Sequence, residues 1–186
     1  MSHSTIFVLN HPATLEWKLT VRNRNLETPI TLDDEDFCAE ERYVNEEIFY
    51  DNGFLDGYHD SVSNMERDEI VSEFKHLADC LKDYASIYEY STGKFMIKFT
   101  IEGVNKYVKD TFAEIEKQLK IFEGDKGHNY WRLRKAVDGD PSGYYFYEDY
   151  TYFTLTEWFM ALYYLFRTSD KDYFVYYLDD ALDYHC

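Results

Sequence analysis

Two hydrophobic periodicities follow each other between residues 95 and 122, and they restrict the chain to a fold that combines strands with helices. From Phe95 to Glu102, large apolar residues alternate with other residue types, which is the period of two of a β-strand. Over residues 104–122 the apolar residues return at helical spacing, and Gly124 predicts the end of this helix. A strand that runs into an amphipathic helix predicts an α+β chain.

The residues before this pair of elements follow the same two patterns. Residues 5–9 and the alternating residues 15–21 predict an N-terminal β-hairpin, because turn-forming residues stand between them. A capping-box pattern at residues 63–66 predicts the start of a helix, and Gly93 predicts its end. The apolar stripe of this helix comprises Ile70, Phe74, Leu77, Leu81, Ala85 and Tyr88.

The C-terminal third predicts further strands and two more helices. Residues 131–137 and the aromatic residues 144–153 have strand character. A second capping box at residues 154–157 opens a helix that is apolar on nearly every face. Residues 169–172 predict the start of a final helix. Its apolar residues are Tyr173, Phe174, Tyr177, Leu178 and Leu182.

These elements predict a single α+β domain over residues 1–186. The N-terminal β-hairpin and the further strands form an antiparallel or mixed sheet, which is accompanied by about five to six helices. We find no internal repeat, linker or domain boundary in the sequence.

One segment dominates the charge of the chain. Residues 33–60 carry eleven carboxylates against one basic residue, a net charge of −10 out of −17 for the whole protein. Apolar residues recur at helical intervals through this segment, which indicates a folded surface and predicts an acidic helical subregion at residues 31–92. Gly53 and Gly57 predict a break, because each weakens a helix by about 1 kcal/mol.

The overall charge selects the class of partner. A pI near 4.6 disfavours direct binding to nucleic acid and to anionic membranes, and it favours basic partners. Cys38, Cys80 and Cys186 lack the spacing of metal or redox motifs, which predicts a reducing, cytoplasmic environment. No signal-peptide pattern is present, and the longest apolar run, residues 158–166, is too short to cross a membrane.

We find no catalytic or cofactor motif, so the sequence predicts neither an enzyme nor a cofactor. Gly53 and Gly57 lack the lysine of a phosphate-binding loop. Glu73 and His76 have the i, i+3 spacing of some metal ligands, but helical geometry directs His76 away from the apolar stripe. An active site assembled from distant residues stays open as an alternative.

Residues 93–135 form a basic segment, with ten lysines or arginines against six acids. Lys106, Lys109, Lys117 and Lys120 lie opposite the apolar stripe of the predicted helix. This face is interpreted as ordinary solvated surface, as an anchor for an acidic partner, or as an internal counterpart of the acidic segment.

The acidic segment suggests imitation of DNA. As a continuous helix, residues 33–60 would extend about 40 Å at about 1.5 Å per residue. They would carry about one carboxylate per 4 Å, compared with one phosphate per about 3.4 Å along a DNA strand. In charge and aromatic content the chain resembles the small phage and mobile-element proteins that inhibit restriction enzymes or CRISPR effectors by imitating DNA.

This resemblance implies an inhibitor that acts in the cytoplasm of a host cell. It would block the basic groove of a nucleic-acid-binding protein, such as a nuclease or a CRISPR effector. The predicted partner-binding residues are Asp33, Asp34, Glu35, Asp36, Glu40, Glu41, Tyr43, Glu46, Glu47, Tyr50, Asp51, Asp56, Tyr58, Asp60, Asp179, Asp180 and Asp183. The alternative is an acidic regulatory protein without mimicry, which associates with itself through its C-terminal aromatic residues.

Overall fold

The computed structural model describes residues 3–10, 61–124, 130–139, 143–148 and 151–185. The strands are β1 (His3–Asn10), β2 (Ser61–Asn64), β3 (Ala85–Ser91), β4 (Lys94–Thr100), β5 (Tyr144–Glu148), β6 (Thr151–Thr154) and β7 (Tyr173–His185). The helices are α1 (Arg67–Leu81), α2 (Ile101–Gly124), α3 (Tyr130–Asp138) and α4 (Leu155–Thr168). The predicted α+β class is confirmed. The described residues contain four helices, fewer than the five to six predicted, and residues 31–60 of the acidic subregion lie outside them.

All seven strands form one mixed sheet in the order β3-β4-β7-β1-β5-β6, and β2 pairs with β7 beside β4. β1 is parallel to β5, and the other strand pairs are antiparallel. Because β1 is paired along one edge with β7 and along the other with β5, it cannot be the first strand of a hairpin with residues 15–21. The predicted hairpin is therefore wrong for β1, and residues 15–21 lie outside the described residues.

The longest strand, β7, lies where the sequence predicted the final helix. Phe174, Tyr176 and Leu178 alternate with less buried residues, so they also fit the period of two of a strand. β1 pairs with one edge of β7, and β4 and β2 pair with the other. The helix prediction was wrong because this pairing satisfies the backbone hydrogen bonds of β7 and favours its β-forming aromatic residues.

Three helices contribute to the core on one face of the sheet. The largest buried cluster joins α1, α2 and α4 to strand residues such as Phe7, Phe99 and Phe146. A second cluster consists of strand residues: Ile6, Val62, Tyr147, Leu182 and Tyr184. The two clusters use alternate residues of β1, which indicates that they lie on opposite faces of the sheet.

Several predicted elements are confirmed, with shifted boundaries. The strand before α2 and α2 itself form as the alternation and the helical stripe predicted. The second capping box is also confirmed, since the Thr154 hydroxyl accepts a hydrogen bond from the Glu157 amide and the Glu157 carboxylate accepts one from the Thr154 amide.

Other local predictions were wrong. The helix predicted from residue 63 begins at Arg67, with its capping box at Glu66 and Glu69, because residues 61–64 pair with β7 instead. Its stripe ends at Leu81, since residues 85–91 form β3 and Gly93 takes the turn into β4. Residues 131–137, predicted as a strand, belong to α3. α3 lies against α2 and α4 rather than pairing with the sheet.

Candidate functional site

A cavity of about 410 Å³ lies between α2 and α3, and we call it the α2–α3 cavity. Val104 and Tyr107, near the start of α2, are buried in the core, whereas Phe112, further along, is 53% exposed. α3 packs against this part of the molecule through contacts with α2 and α4. The cavity therefore lies beside the part of α2 that leaves the core and packs against α3.

The α2 side of the cavity is acidic. Asp110 accepts a hydrogen bond from the Tyr84 hydroxyl at 3.3 Å, and its ion pair with Lys106 measures 3.4 Å. Glu114 accepts hydrogen bonds from the Gln118 amide at 2.6 Å and from Lys117 at 2.9 Å. These two hydrogen bonds lower the pKa of Glu114, so its carboxylate is charged at neutral pH.

The α3 side of the cavity is basic. Arg132 and Lys135, three residues apart, lie on one face of α3 and line the cavity. Arg134 does not line the cavity, and it forms an ion pair with Asp138 at 3.6 Å. Burial raises the pKa of Asp138, although the charge of Arg134 opposes that shift. The three ion pairs between two described residues each join residues of the same helix, and none of them crosses the cavity.

Aromatic rings form the floor of the cavity. The Tyr107 ring stacks on Phe159 at a centroid distance of 3.8 Å, and Tyr84 meets Tyr107 edge-on at 5.1 Å. Gly139 closes one end in a left-handed conformation, with φ at +104°. A Cβ atom at this position would lie 2.5 Å from the Tyr107 hydroxyl oxygen, so the floor requires glycine here.

A second polar cluster lies between α1 and the sheet. One carboxylate oxygen of Glu73 accepts hydrogen bonds from the Thr5 hydroxyl at 3.3 Å and from the Tyr144 hydroxyl at 3.2 Å. His76 is exposed, as its helical position predicted, and its Nε2 atom lies 3.8 Å from the Cys80 sulfur. This cluster connects α1 to β1 and β5, which assigns Glu73 a structural role.

Replacement of Tyr144 by phenylalanine tests this role, and we expect it to cost about 1 kcal/mol of stability at pH 7 through loss of the hydrogen bond to Glu73. Burial, reinforced by the Glu73 charge, raises the pKa of Tyr144 above its ordinary value. The neutral phenol therefore stabilises the fold below about pH 10, and this contribution is lost as the pH rises further.

Urea denaturation between pH 7 and pH 11 should show a shallower alkaline loss of stability for Tyr144→Phe than for the wild type. Tyr164→Phe is the matched control, because Tyr164 is exposed on α4. Equal stability of Tyr144→Phe and the wild type over the whole pH range would contradict the prediction.

The structure describes few of the predicted partner-binding residues. Those in residues 33–60 lie outside the described residues. The remaining three lie on β7. Asp179 accepts a hydrogen bond from the Asn10 side chain at 2.8 Å, and Asp183 is opposite Thr5 and Ser63 in the sheet. Asp180 is only 3% exposed and accepts a hydrogen bond from the Ala181 amide, which leaves it little surface for a partner.

Sequence reasoning noticed the bases of the basic segment but missed the cavity. The lysines predicted to face away from the core, Lys106, Lys109, Lys117 and Lys120, are all exposed. The strand predicted at residues 131–137 would point Arg132 and Lys135 to opposite faces, so it gives no indication of the cavity. A helix over the same residues places both bases on one side. Helical spacing in residues 131–137 is therefore the signal that would indicate the basic side of the cavity.

The described residues contain no group of three or more histidine, cysteine or acidic residues that could hold a metal ion. None of the four helices in these ranges is both long and apolar enough to cross a membrane. No protein-family model, curated protein or solved structure matches the chain.

Proposed function

We propose that this chain is an acidic binding inhibitor that imitates DNA and occupies the basic groove of a nucleic-acid-binding protein, such as a nuclease or a CRISPR effector. The observation that carries the proposal is the concentration of eleven carboxylates against one base in residues 33–60. Charges of one sign at this density steer a basic partner into contact and accelerate association. Tyr43, Tyr50 and Tyr58 stand among these acids and supply aromatic contacts.

The sheet supports this proposal because it holds both ends of residues 11–60, the stretch that contains the acidic segment at residues 33–60. β1 ends at Asn10, opposite Tyr177, and β2 begins at Ser61, opposite His185. Both attachment points are on β7 and are separated by about 25 Å at about 3.3 Å per residue. Anchoring at two points on one rigid strand reduces the entropy that a partner must remove on binding.

Reversal of four charges tests the proposal. We expect replacement of Glu40, Glu41, Glu46 and Glu47 by lysine to weaken binding by at least about tenfold, because attraction to the groove becomes repulsion. The partner is first captured from a cell lysate, and its affinity is then measured by biolayer interferometry at several salt concentrations. Affinity should fall as salt rises, and DNA should compete for the same partner.

The control for this experiment keeps the overall change of charge the same. Asp79, Asp83, Glu116 and Glu123 are exposed acids on and next to α1 and α2, and their replacement by lysine alters the net charge equally. We expect this second variant to retain most of the affinity. The proposal fails if both variants lose affinity equally, or if the complex is indifferent to salt and to DNA.

The second candidate function is that of an acidic regulatory protein that associates with itself. It is favoured by the exposed aromatic side chains of α3, since Trp131 is 68% and Tyr130 57% exposed. Exposed aromatic residues of this size are typical of interface anchors. Light scattering distinguishes the candidates, because a stable homo-oligomer that Trp131→Ala dissociates supports self-association, whereas a monomer supports the inhibitor.

A further inference from the structure

We propose that the α2–α3 cavity binds a small molecule with an N–H donor group at one end and an anionic group at the other. Nucleoside monophosphates and dipeptides share this chemistry. The proposal is independent of the acidic segment, because it rests on other residues. Three features of the cavity support it: its opposed charged walls, one buried acceptor atom, and its aromatic floor.

The charges on the two walls are held apart. Asp110 and Glu114 line the α2 side, and Arg132 and Lys135 line the α3 side. The acids pair with lysines of their own helix, and no ion pair in the described ranges joins the two walls. A ligand with opposite polarity at its two ends can satisfy both walls at once, and charge-assisted hydrogen bonds of this kind are about twice as strong as neutral ones.

A buried acceptor atom points to the donor end of the ligand. Gln118 is 8% exposed and lines the cavity, and its amide nitrogen is committed to Glu114 at 2.6 Å. Its carbonyl oxygen is buried and has no hydrogen-bond partner among the residues that the structure describes. An unsatisfied buried carbonyl is costly, and a turn of the Gln118 side chain toward the cavity would let an N–H group of a ligand satisfy it beside the Glu114 carboxylate.

The floor and the volume suit a ligand with a flat or apolar body. The floor consists of the Tyr84 and Tyr107 rings, and the stacking of Tyr107 on Phe159 holds it in place. A volume of about 410 Å³ lies within the usual range of small-molecule sites, which is about 300–1,000 Å³. In this geometry Arg132 and Lys135 bind the anionic group, and Glu114 and Gln118 bind the donor group.

The experiment is isothermal titration calorimetry of the full chain with four probes. Cytidine 5′-monophosphate and glycyl-tyrosine carry both groups at opposite ends, whereas inorganic phosphate and cytidine each lack one group. We expect at least one of the two complete probes to bind about tenfold more tightly than either incomplete probe. Preference for the nucleotide or for the dipeptide then identifies the source of the ligand.

Two variants test the walls. The double variant Arg132→Gln, Lys135→Gln should weaken the complete probe by about tenfold or more, because the anionic group loses its charged partners. Lys109→Gln, Lys120→Gln is the matched control, since these exposed lysines do not line the cavity and the net charge changes equally. Glu114→Gln should weaken the complete probe and leave phosphate binding unchanged.

Circular dichroism checks that each variant keeps the fold of the wild type. The proposal is overturned if neither complete probe binds at about 10 mM, because specific recognition is already weak at that concentration. It is also overturned if phosphate alone binds as tightly as the complete probes, or if the wall variant and the control variant lose the same affinity.

Discussion

Replacement of Phe159 by alanine is expected to lower the free energy of unfolding by about 4 kcal/mol, because deletion of a buried ring removes its contacts and leaves a cavity. Phe159 is fully buried, stacks on Tyr107 at 3.8 Å, and meets Phe99 edge-on at 5.5 Å. It therefore joins α4 to α2 and to the sheet. Urea denaturation followed by circular dichroism measures the loss.

Tyr164→Ala is the matched control on the same helix. Tyr164 is 62% exposed, so its replacement should change the unfolding free energy by less than about 1 kcal/mol. A similar small loss for Phe159→Ala would mean that α4 does not pack on α2 and the sheet as described. Phe159→Leu should recover part of the loss, because it restores apolar volume without the stacking geometry.

Gly103→Ala is the second variant with a large expected effect. We expect it to lower the stability of the protein, whereas glycine-to-alanine replacements in helices usually raise it. Alanine in place of glycine ordinarily stabilises a helix by about 1 kcal/mol. At Gly103, however, the added Cβ would collide with the backbone carbonyl oxygen of Tyr84 and lie 2.9 Å from its carbonyl carbon. Backbone atoms cannot rotate away as a side chain can, so we expect destabilisation by about 2–3 kcal/mol.

Thermal unfolding of Gly103→Ala beside Asn105→Ala provides the comparison. Asn105 is exposed one half-turn further along α2, so alanine there should be neutral or slightly stabilising. Stabilisation of both variants would show that α2 does not approach the Tyr84 carbonyl closely. Since Tyr84 also contributes to the floor of the α2–α3 cavity, Gly103→Ala should weaken any ligand of that cavity as well.

The part of the fold that could be predicted is the part that local physics determines. β4 and α2 form where alternation and helical spacing predicted them. Each buries an apolar face, and the spacing of apolar residues within the element itself indicates that face. The Thr154 and Glu157 capping box is equally local, since its hydrogen bonds join residues three apart.

The errors fall where pairing with another strand decides the outcome. Tyr173, Phe174, Tyr177 and Leu178 fit a helical stripe, yet pairing with β1 and β4 makes them a strand. The helix predicted to end at Gly93 likewise includes residues 85–91, but these residues pair with β4, which follows the turn at Gly93. Secondary-structure preference is weaker than the backbone hydrogen bonding that a neighbouring strand offers.

The candidate site divides in the same way. The sequence alone determined the charge, the acidic run at residues 33–60 and the bases that follow β4, because charge is a property of composition. Only the tertiary structure decided that Arg132 and Lys135 face Asp110 and Glu114 across a cavity, since this requires α3 to be a helix packed on α2. Packing between elements distant in sequence depends on complementary shape, which no local pattern encodes.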